Sequence, residues 1–340
     1  MYHKKLKNKD KIFSVAPMID WTDRNCRFFH RVLTKHALLY SEMIVADAVI
    51  HGDRDKLLGD DTTGPVALQL GGSEPQKLGD AVRFAAPYNY GEINLNVGCP
   101  SDRVQSGTFG ACLMRTPELV GECVAAMKAE TDLPVTVKCR IGVDDQDTGP
   151  ALNDLAHAVW NAGCDGLWVH GRKAWLEGLS PKQNREIPPL DYPRVHRLKQ
   201  ENPSHFIGLN GGIQTLIQAR EALTSDMAEL DGIMVGRASY QSPSILREVD
   251  QTFYGDAADP KSYEEIIDVM TAYAAQHLQM GGRLHQVTRH MIGLFQAVPG
   301  ARRWRQILSS EATQFDAGVD VIERAFSEVD LTGSLSGEAA

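Results

Sequence analysis

The sequence predicts a (β/α)8 TIM barrel followed by a C-terminal all-helical domain. Eight short β-prone runs alternate with segments of helical periodicity over about 240 residues, the pattern of parallel strands joined by crossover helices. Nearly every run ends in a glycine or a polar residue, as expected where strands open into the mouth of a barrel. A doubly wound open sheet is the alternative. It fits less well, because no Gly-x-Gly-x-x-Gly motif follows the first run.

The eight runs follow one another along the first three quarters of the chain. The fourth ends in Asn-Val-Gly-Cys-Pro at residues 96–100, and a proline cannot continue a strand ladder. We therefore expect Cys99 just past the C-terminal end of a buried strand, where ligands bind in parallel α/β proteins. The runs span residues 12–18, 38–43, 65–70, 93–101, 134–140, 166–171, 206–210 and 232–237.

Helical periodicity of 3.6 residues marks the segments between the runs and the last quarter of the chain. Near residue 259 the alternation stops, and Ser262 and Glu265 then have the spacing of a capping box, which predicts a long helix to about Met280. Further helices are expected over 118–129, 153–162, 216–223, 286–297, 302–309 and 319–329. We predict a barrel domain over residues 1–250, a helical domain over 251–332 and a disordered tail over 333–340.

The composition is that of a globular enzyme in a reducing compartment. Six cysteines form no Cys-x-x-Cys pair and do not cluster with histidine at metal-ligand spacing, so no metal site is expected. No apolar run approaches the roughly 18 residues of a membrane span, and no signal-peptide core follows the basic N-terminus. We expect a cytoplasmic protein without membrane contact. The formal net charge of −9 argues against a general nucleic-acid coat but permits a local basic patch.

Two glycine turns predict a phosphate site. Asn210, Gly211 and Gly212 follow the seventh run, and Gly236 and Arg237 follow the eighth. Barrels often bind phosphate at this place with glycine N–H groups and a helix N-terminus, and Arg237 would add a charge-assisted bond. Tight-turn glycines beside a salt bridge at the rim are the structural alternative.

Three side chains at strand ends are candidates for chemistry. Lys138 could be a Schiff-base nucleophile, a cation beside N1 of a reduced flavin, or a rim side chain. His170 could contact a cofactor or cap its strand. Cys99 could be a nucleophile, but the sequence places no His or Asp to activate it. A thiol that keeps its proton at neutral pH could instead act as a general acid.

Basic residues occur in two further places. Arg302 and Arg305 flank Trp304 on a predicted helix, and Lys182 and Arg185 lie in the long loop after the sixth run. Cations joined to an aromatic ring suit an RNA backbone and stacked bases. A solvated helix face, with Trp304 in the core between domains, is equally compatible with this pattern.

Taken in order, these motifs resemble the tRNA-dihydrouridine synthases over nearly the full chain. Two segments resemble the A subfamily in particular: Ser-Pro-Lys-Gln-Asn-Arg at 180–185 and Pro-Gly-Ala-Arg-Arg-Trp-Arg at 299–305. The family motifs are Ala-Pro-Met-Ile-Asp-Trp-Thr-Asp at 16–23, Asn-Val-Gly-Cys-Pro-Ser at 96–101, Val-Lys-Cys-Arg at 137–140, Val-His-Gly-Arg at 169–172, Asn-Gly-Gly at 210–212 and Gly-Arg at 236–237.

The resemblance implies an FMN-bound barrel with a helical tRNA-binding domain, with NADPH as the electron donor. The expected substrates are the D-loop uridines at positions 20 and 20a of tRNA. No obligate protein partner is evident, and we expect a monomer. The FMN contacts implied are Pro17, Met18, Ile19, Gln69, Lys138, His170, Asn210, Gly211, Gly212, Gly236 and Arg237. The tRNA contacts implied are Asn96, Lys182, Arg185, Arg302 and Arg305.

The implied chemistry gives Cys99 the role of acid. The C5=C6 bond of uracil is conjugated to the C4 carbonyl, so hydride from N5 of reduced FMN would go to C6 and Cys99 would protonate C5 from the other face. The uridine would have to be flipped out of the folded tRNA. The alternatives are a flavin-dependent reductase of a small pyrimidine or enone, a Schiff-base aldolase using Lys138, and a non-catalytic RNA-binding module. The ordered set of motifs favours the synthase.

Overall fold

Eight parallel strands form a closed barrel. The computed structural model describes residues 11–59, 63–100 and 109–332 of the 340-residue chain. Strand β1 (Ile12–Val15) pairs with both β2 (Leu38–Val45) and β8 (Gly232–Val235), and this closure confirms the predicted (β/α)8 fold over an open sheet. The other strands are β3 (Val66–Gly71), β4 (Glu92–Val97), β5 (Val135–Arg140), β6 (Gly166–His170) and β7 (Ile207–Asn210). The tail predicted over 333–340 lies outside the described residues.

Helices alternate with the strands and then continue to the end of the described chain. Among the described residues, no helix is both long enough and apolar enough to span a membrane. The α-helices are α1 (Arg24–Leu33), α2 (Ala46–His51), α3 (Arg54–Leu58), α4 (Pro75–Ala85), α5 (Pro117–Ala129), α6 (Thr148–Asn161), α7 (Tyr192–Glu201), α8 (Leu216–Glu221), α9 (Arg237–Gln241), α10 (Val249–Tyr254), α11 (Tyr263–Gln279), α12 (Leu284–Thr288), α13 (Ala301–Ser310) and α14 (Asp320–Phe326). Short 3-10 helices span Gly110–Arg115, Gln183–Arg185 and Pro243–Glu248.

Contacts between Cα atoms divide the described chain into two compact units. The barrel unit comprises residues 11–20 and 37–236, and the second unit comprises residues 21–36 and 237–332. The barrel unit ends at Gly236, whereas the sequence predicted a limit at residue 250. The segment that contains α1 belongs to the second unit, together with the later helices. Because this grouping reflects packing alone, the domain limits predicted from the sequence, 1–250 and 251–332, stay a prediction.

Trp168 of β6 fills much of the barrel interior. Its side chain is fully buried in a cluster that includes Tyr40 and Phe206. The next two strands leave room for it. A Cβ at Gly208 would lie 2.2 Å from Trp168 Cε3, and a Cβ at Gly232 would lie 2.7 Å from Trp168 Cη2. The large indole of Trp168 on β6 thus fits because Gly208 on β7 and Gly232 on β8 have no side chain.

The second unit begins its long helix as the sequence predicts. Ser262 Oγ accepts the N–H of Glu265, and the Glu265 carboxylate accepts the N–H of Ser262, which confirms the capping box. The helix ends at Gln279, and Gly281 adopts a left-handed φ of +83° that favours glycine. Helices α13 and α14 lie close to their predicted positions.

The helix predicted over 286–297 is wrong. Helix α12 ends at Thr288, and the chain continues in turns whose hydrogen bonds join residues three apart, such as the N–H of Leu294 to the carbonyl of Met291. A Cβ at Gly293 would lie 2.2 Å from the carbonyl oxygen of Gln241, so two backbones meet here. This close packing overrides the helical periodicity of the segment.

Trp304 is a core residue of the second unit. Its side chain is fully buried, its ring meets Phe295 edge-on at a centroid distance of 4.9 Å, and its Nε1 donates to the Met291 carbonyl at 3.2 Å. The ring is therefore not available for base stacking. In the segment over 302–305, the contact of Arg302 and Arg305 with RNA stays a prediction.

Gly208→Ala is expected to lower the free energy of unfolding by about 1–3 kcal/mol, the usual cost of overpacking a full core. Gly91→Ala is the matched control, because the nearest atom to a Cβ there is the Val66 carbonyl oxygen at 3.8 Å. Urea unfolding of both variants and the wild type measures the difference. Equal midpoints for the two variants would contradict the packing of Trp168 against Gly208.

Candidate active site

The polar residues of β4 and β5 face the barrel interior. Asn94 lies opposite Thr136, and Asn96 lies opposite Lys138, across the two paired strands. Because successive side chains of a strand point to opposite faces, these four share one face, and buried residues such as Leu95 occupy the other. The interior of the barrel is therefore polar along these two strands up to its C-terminal mouth.

A chain of buried hydrogen bonds starts at Glu92, the first residue of β4. Tyr40 Oη donates to Glu92 Oε1 at 2.5 Å, and Thr136 Oγ1 donates to the same oxygen. Asn94 Nδ2 then donates to Thr136 Oγ1 at 2.7 Å, and Gln69 Nε2 donates to Asn94 Oδ1 at 2.8 Å. Since buried polar groups are costly to leave unsatisfied, this chain fixes the orientation of each amide in it.

Asn96 extends that chain to the turn that carries Cys99. Its Nδ2 donates to Gln69 Oε1 at 2.8 Å. Its Oδ1 accepts the N–H groups of Gly98 at 3.1 Å and Cys99 at 3.0 Å. Asparagine often stabilises a turn by accepting backbone N–H groups that follow it. Asn96 therefore sets the position of the Cys99 backbone.

Arg140 of β5 binds a carbonyl group of the same turn. Its Nε donates to the Gly98 carbonyl at 3.1 Å, and the Cys99 carbonyl accepts the N–H of Ala111 at 2.9 Å. All four backbone polar groups of Gly98 and Cys99 are thus hydrogen-bonded. The half-buried thiol lies just past the end of β4, as the sequence predicts.

Four cations, here called the cationic cluster, influence one another at the mouth: Lys138, Arg140, Arg172 and Arg185. Burial lowers the pKa of Lys138 to about 8, and the charge of Arg140 adds to this shift. Burial likewise lowers the pKa of Arg140 to about 10, with Arg185 and Arg172 adding to it. No carboxylate of the described chain is among the main influences on either pKa. A buried positive field of this kind suits an anion or an electron-rich ring.

His170 of β6 lies next to this cluster and is neutral near pH 7. Burial holds its pKa well below the usual 6.5, and the charges of Arg140 and Lys138 lower the pKa further. Within the described residues, its buried Nδ1 atom has no hydrogen-bond partner. Buried polar atoms are normally satisfied, so this ring nitrogen suits a hydrogen bond to a bound ligand.

The turn after β7 places glycine backbone, without side chains, close to His170. Asn210 Nδ2 donates to the Met234 carbonyl of β8 at 2.7 Å, which fixes the start of the turn. Gly211 and Gly212 have φ values of +112° and +76°, which favour glycine, and a Cβ at Gly211 would lie 3.0 Å from His170 Cε1. A glycine turn of this kind fits a phosphate bound by main-chain N–H groups.

The turn after β1 lies next to the end of β8. A Cβ at Gly236 would lie 3.9 Å from Met18 Sδ, so the structure brings these two predicted cofactor residues together. Pro17 and Ile19 flank Met18, and Ile19 is half exposed. Arg237 begins α9 in the second unit, and its contact with a cofactor stays a prediction.

The four basic residues predicted to contact RNA are exposed. Lys182 and Arg185 lie at the 3-10 turn of the loop after β6 in the barrel unit, and Arg302 and Arg305 lie on α13 in the second unit. Neither Arg302 nor Arg305 forms an ion pair with another described residue. Their contact with RNA stays a prediction.

Sequence reasoning assigned no role to Arg140 or to the buried residues Glu92, Asn94 and Thr136. A signal was present, because polar residues recur at every second position over 92–96 and 136–140. Such alternation usually marks a strand with one solvent-exposed face. Here the closure of the barrel turns that face inward.

Comparison with known proteins assigns the chain to a family. The family model described as "Dihydrouridine synthase (Dus)" matches residues 14–330. The chain belongs to the dihydrouridine synthase family. This membership confirms the resemblance noted in the sequence, and the barrel that the motifs predicted is the barrel observed.

Relatives of this dihydrouridine synthase match it over nearly its whole length. A Shewanella oneidensis protein named tRNA-dihydrouridine(20/20a) synthase is 52% identical over 323 residues, which cover 95% of each chain. A Vibrio vulnificus protein of the same name is 52% identical over 317 residues, covering 93% of this chain and 96% of its own. An Escherichia coli K12 protein, also of that name, is 50% identical over 314 residues, covering 92% and 90%.

Lys138 predicts a specific pH dependence of stability in the flavin-free protein. Its pKa is about 8 when folded and 10.5 in its ordinary state, so the unfolded chain binds more protons between these pH values. The free energy of unfolding contributed by Lys138 therefore rises with pH across this window, by at most about 1.4 kcal/mol per pH unit. Lys138→Met removes this contribution.

Urea unfolding at several pH values in that window compares the variant with the wild type. We expect the free energy of unfolding to rise less steeply with pH in Lys138→Met. Identical slopes would mean that Lys138 is solvated and that the buried positive field is absent.

Proposed function

We propose that this dihydrouridine synthase reduces the C5=C6 bond of uridines 20 and 20a in the D loop of tRNA. The observation that carries the proposal is the turn that fixes Cys99 by all four backbone polar groups of Gly98 and Cys99, beside buried cations. The names of the full-length relatives support tRNA as the substrate and these two uridines as the positions.

FMN is the cofactor we propose, with NADPH as the electron donor that the family resemblance implies. Reduced FMN, when bound, supplies the hydride that C6 of the uracil receives. The residues present fit this group. The turn of Gly211 and Gly212 offers backbone for its phosphate, and Gly236 has no side chain to obstruct it. Lys138 and His170 suit its electron-rich ring.

The thiol of Cys99 donates the proton that completes the reduction. Addition of hydride at C6 leaves negative charge shared between C5 and O4 of the uracil, because the double bond is conjugated to the C4 carbonyl. Cys99 protonates C5 from the face opposite the hydride. One N–H of the Asn96 amide donates to Gln69, and the second N–H can donate to a uracil carbonyl. Gln69 has two roles in this proposal: it orients Asn96 by a hydrogen bond, and it contacts the flavin.

Exposed cations of each unit contact the tRNA backbone in this proposal: Lys182 and Arg185 in the barrel unit, Arg302 and Arg305 in the second unit. Phosphate contacts fix an RNA on a protein, whereas the flipped uridine is recognised in the mouth. The protein acts as a monomer in this proposal.

Cys99→Ala is expected to lower dihydrouridine formation at least about 100-fold, the usual contribution of a general acid, while FMN absorbance and tRNA binding are retained. Cys112→Ala is the matched control, because this second half-buried thiol donates to the Phe109 carbonyl and has no part in the proposed reaction. Nucleoside analysis of the treated tRNA measures both variants.

Unchanged turnover of native tRNA by Cys99→Ala would remove the acid role. Reduction of free uracil or of a simple enone by the wild type, as fast as reduction of tRNA, would favour the small-molecule reductase instead.

A further inference from the structure

Trp175 exposes a large apolar ring on the loop after β6. Its side chain is 41% exposed, whereas the other four tryptophans of the chain are buried or largely buried. Indole rings usually bury most of their surface, so an exposed one on a functional loop is a candidate contact for a partner. Nothing in the proposed reduction uses this ring.

A buried asparagine holds the backbone of Trp175 from both sides. Asn184 is fully buried, its Oδ1 accepts the N–H of Trp175 at 2.7 Å, and its Nδ2 donates to the Trp175 carbonyl at 2.8 Å. The residues on either side are held as well. Ala174 pairs with Val143 in an isolated bridge, and the N–H of Leu176 donates to the Asp144 carboxylate at 2.8 Å.

This arrangement orders the backbone that carries the exposed ring of Trp175. A ring whose backbone is already ordered loses little conformational entropy when it contacts a partner. The hydrogen bonds of Asn184 therefore act as pre-organisation for a contact on the ring of Trp175.

The charges around the ring select the kind of partner. Lys173 Nζ lies 5.8 Å from the ring centroid, and Lys182 and Arg185 flank the buried Asn184. The loop over 172–190 contains four Lys or Arg residues and two Glu residues, a net charge of +2 in a chain whose formal net charge is −9. An aromatic ring with cations beside it matches a nucleobase joined to phosphates better than it matches a second copy of this acidic chain.

The loop is also tied to the turn of Cys99. Arg140 donates through Nη1 to the carbonyls of Lys173 at 3.0 Å and Asn184 at 2.9 Å, and through Nε to the Gly98 carbonyl at 3.1 Å. One buried guanidinium thus joins the segments on either side of Trp175 to the acid of the reaction. A nucleotide contacted by the ring lies near the nucleotide that is reduced.

We propose that Trp175 stacks on a nucleobase of the tRNA that neighbours the flipped uridine, with Lys182 and Arg185 on the adjoining phosphates. Flipping a uridine removes a stacking partner from its neighbours, and an indole ring replaces that partner whatever the sequence of the base. This inference rests on the proposed function, because it names the RNA contact of the same site.

Two substitutions of Trp175 test whether an aromatic ring at this position is needed for tRNA binding. Trp175→Ala is expected to weaken binding of an unmodified tRNA transcript about tenfold and to raise the KM for tRNA by a similar factor, whereas Trp175→Phe stays within about threefold of the wild type. Ile217→Ala is the control for loss of an exposed apolar side chain, because Ile217 is 71% exposed on α8. Urea unfolding checks that all three variants fold.

A direct readout uses 2-aminopurine placed next to the target uridine in the transcript. Its fluorescence should fall on binding to the wild type and to Trp175→Phe, and should fall less on binding to Trp175→Ala. Wild-type affinity and wild-type quenching in Trp175→Ala would overturn the inference while leaving the proposed function intact. A wild-type protein that neither binds nor reduces tRNA would overturn the proposed function itself.

Discussion

Asn96 and Arg140 bind the backbone of the Gly98–Cys99 turn, and the chemistry proposed for the site depends on these hydrogen bonds. Asn96 binds the two N–H groups of the turn, and Arg140 binds the Gly98 carbonyl. Each of these side chains is itself fixed, Asn96 through the buried chain that begins at Glu92 and Arg140 through two more carbonyls. Because a buried polar group left without a partner costs about 1–3 kcal/mol, the turn has few alternative positions. The acid role proposed for Cys99 needs such a fixed position, because a general acid works only when its proton is held at the reacting atom.

The electrostatics of the mouth contrast with the charge of the whole chain. The formal net charge is −9, yet Lys138, Arg140, Arg172 and Arg185 influence one another where the strands end. Within the described part of the chain, no carboxylate is among the main influences on the pKa of Lys138 or Arg140. Burial removes the water that would otherwise solvate Lys138 and Arg140, so the site gains from a ligand with negative charge. The same local field suits the phosphate of a cofactor, an electron-rich ring and the backbone of an RNA. An overall acidic composition therefore carried little information about the partner.

The sequence predicted those parts of the structure that depend on neighbouring residues along the chain. Runs such as 206–210, with glycines after them, became strands, and Ser262 and Glu265 formed the capping box. The helix over 286–297 was wrong, because the close approach of Gly293 to Gln241 depends on residues more than 50 positions apart. The role of Arg140 was missed because its acceptors lie 33 to 44 positions away along the chain. The role of Asn184 was missed although it bonds within its own loop, because no local pattern distinguishes a buried asparagine in a polar loop from an exposed one.

The chemistry of the family motifs is tested most directly on an unmodified tRNA transcript. The purified protein is incubated with the transcript and NADPH, and mass spectrometry of nuclease fragments maps the bases that have gained two hydrogen atoms. We expect the gain in the D-loop fragment, at uridines 20 and 20a, and no gain when NADPH is left out. An unchanged mass in that fragment, from protein that carries its flavin and binds the transcript, would contradict the assignment of this site to the reduction of tRNA.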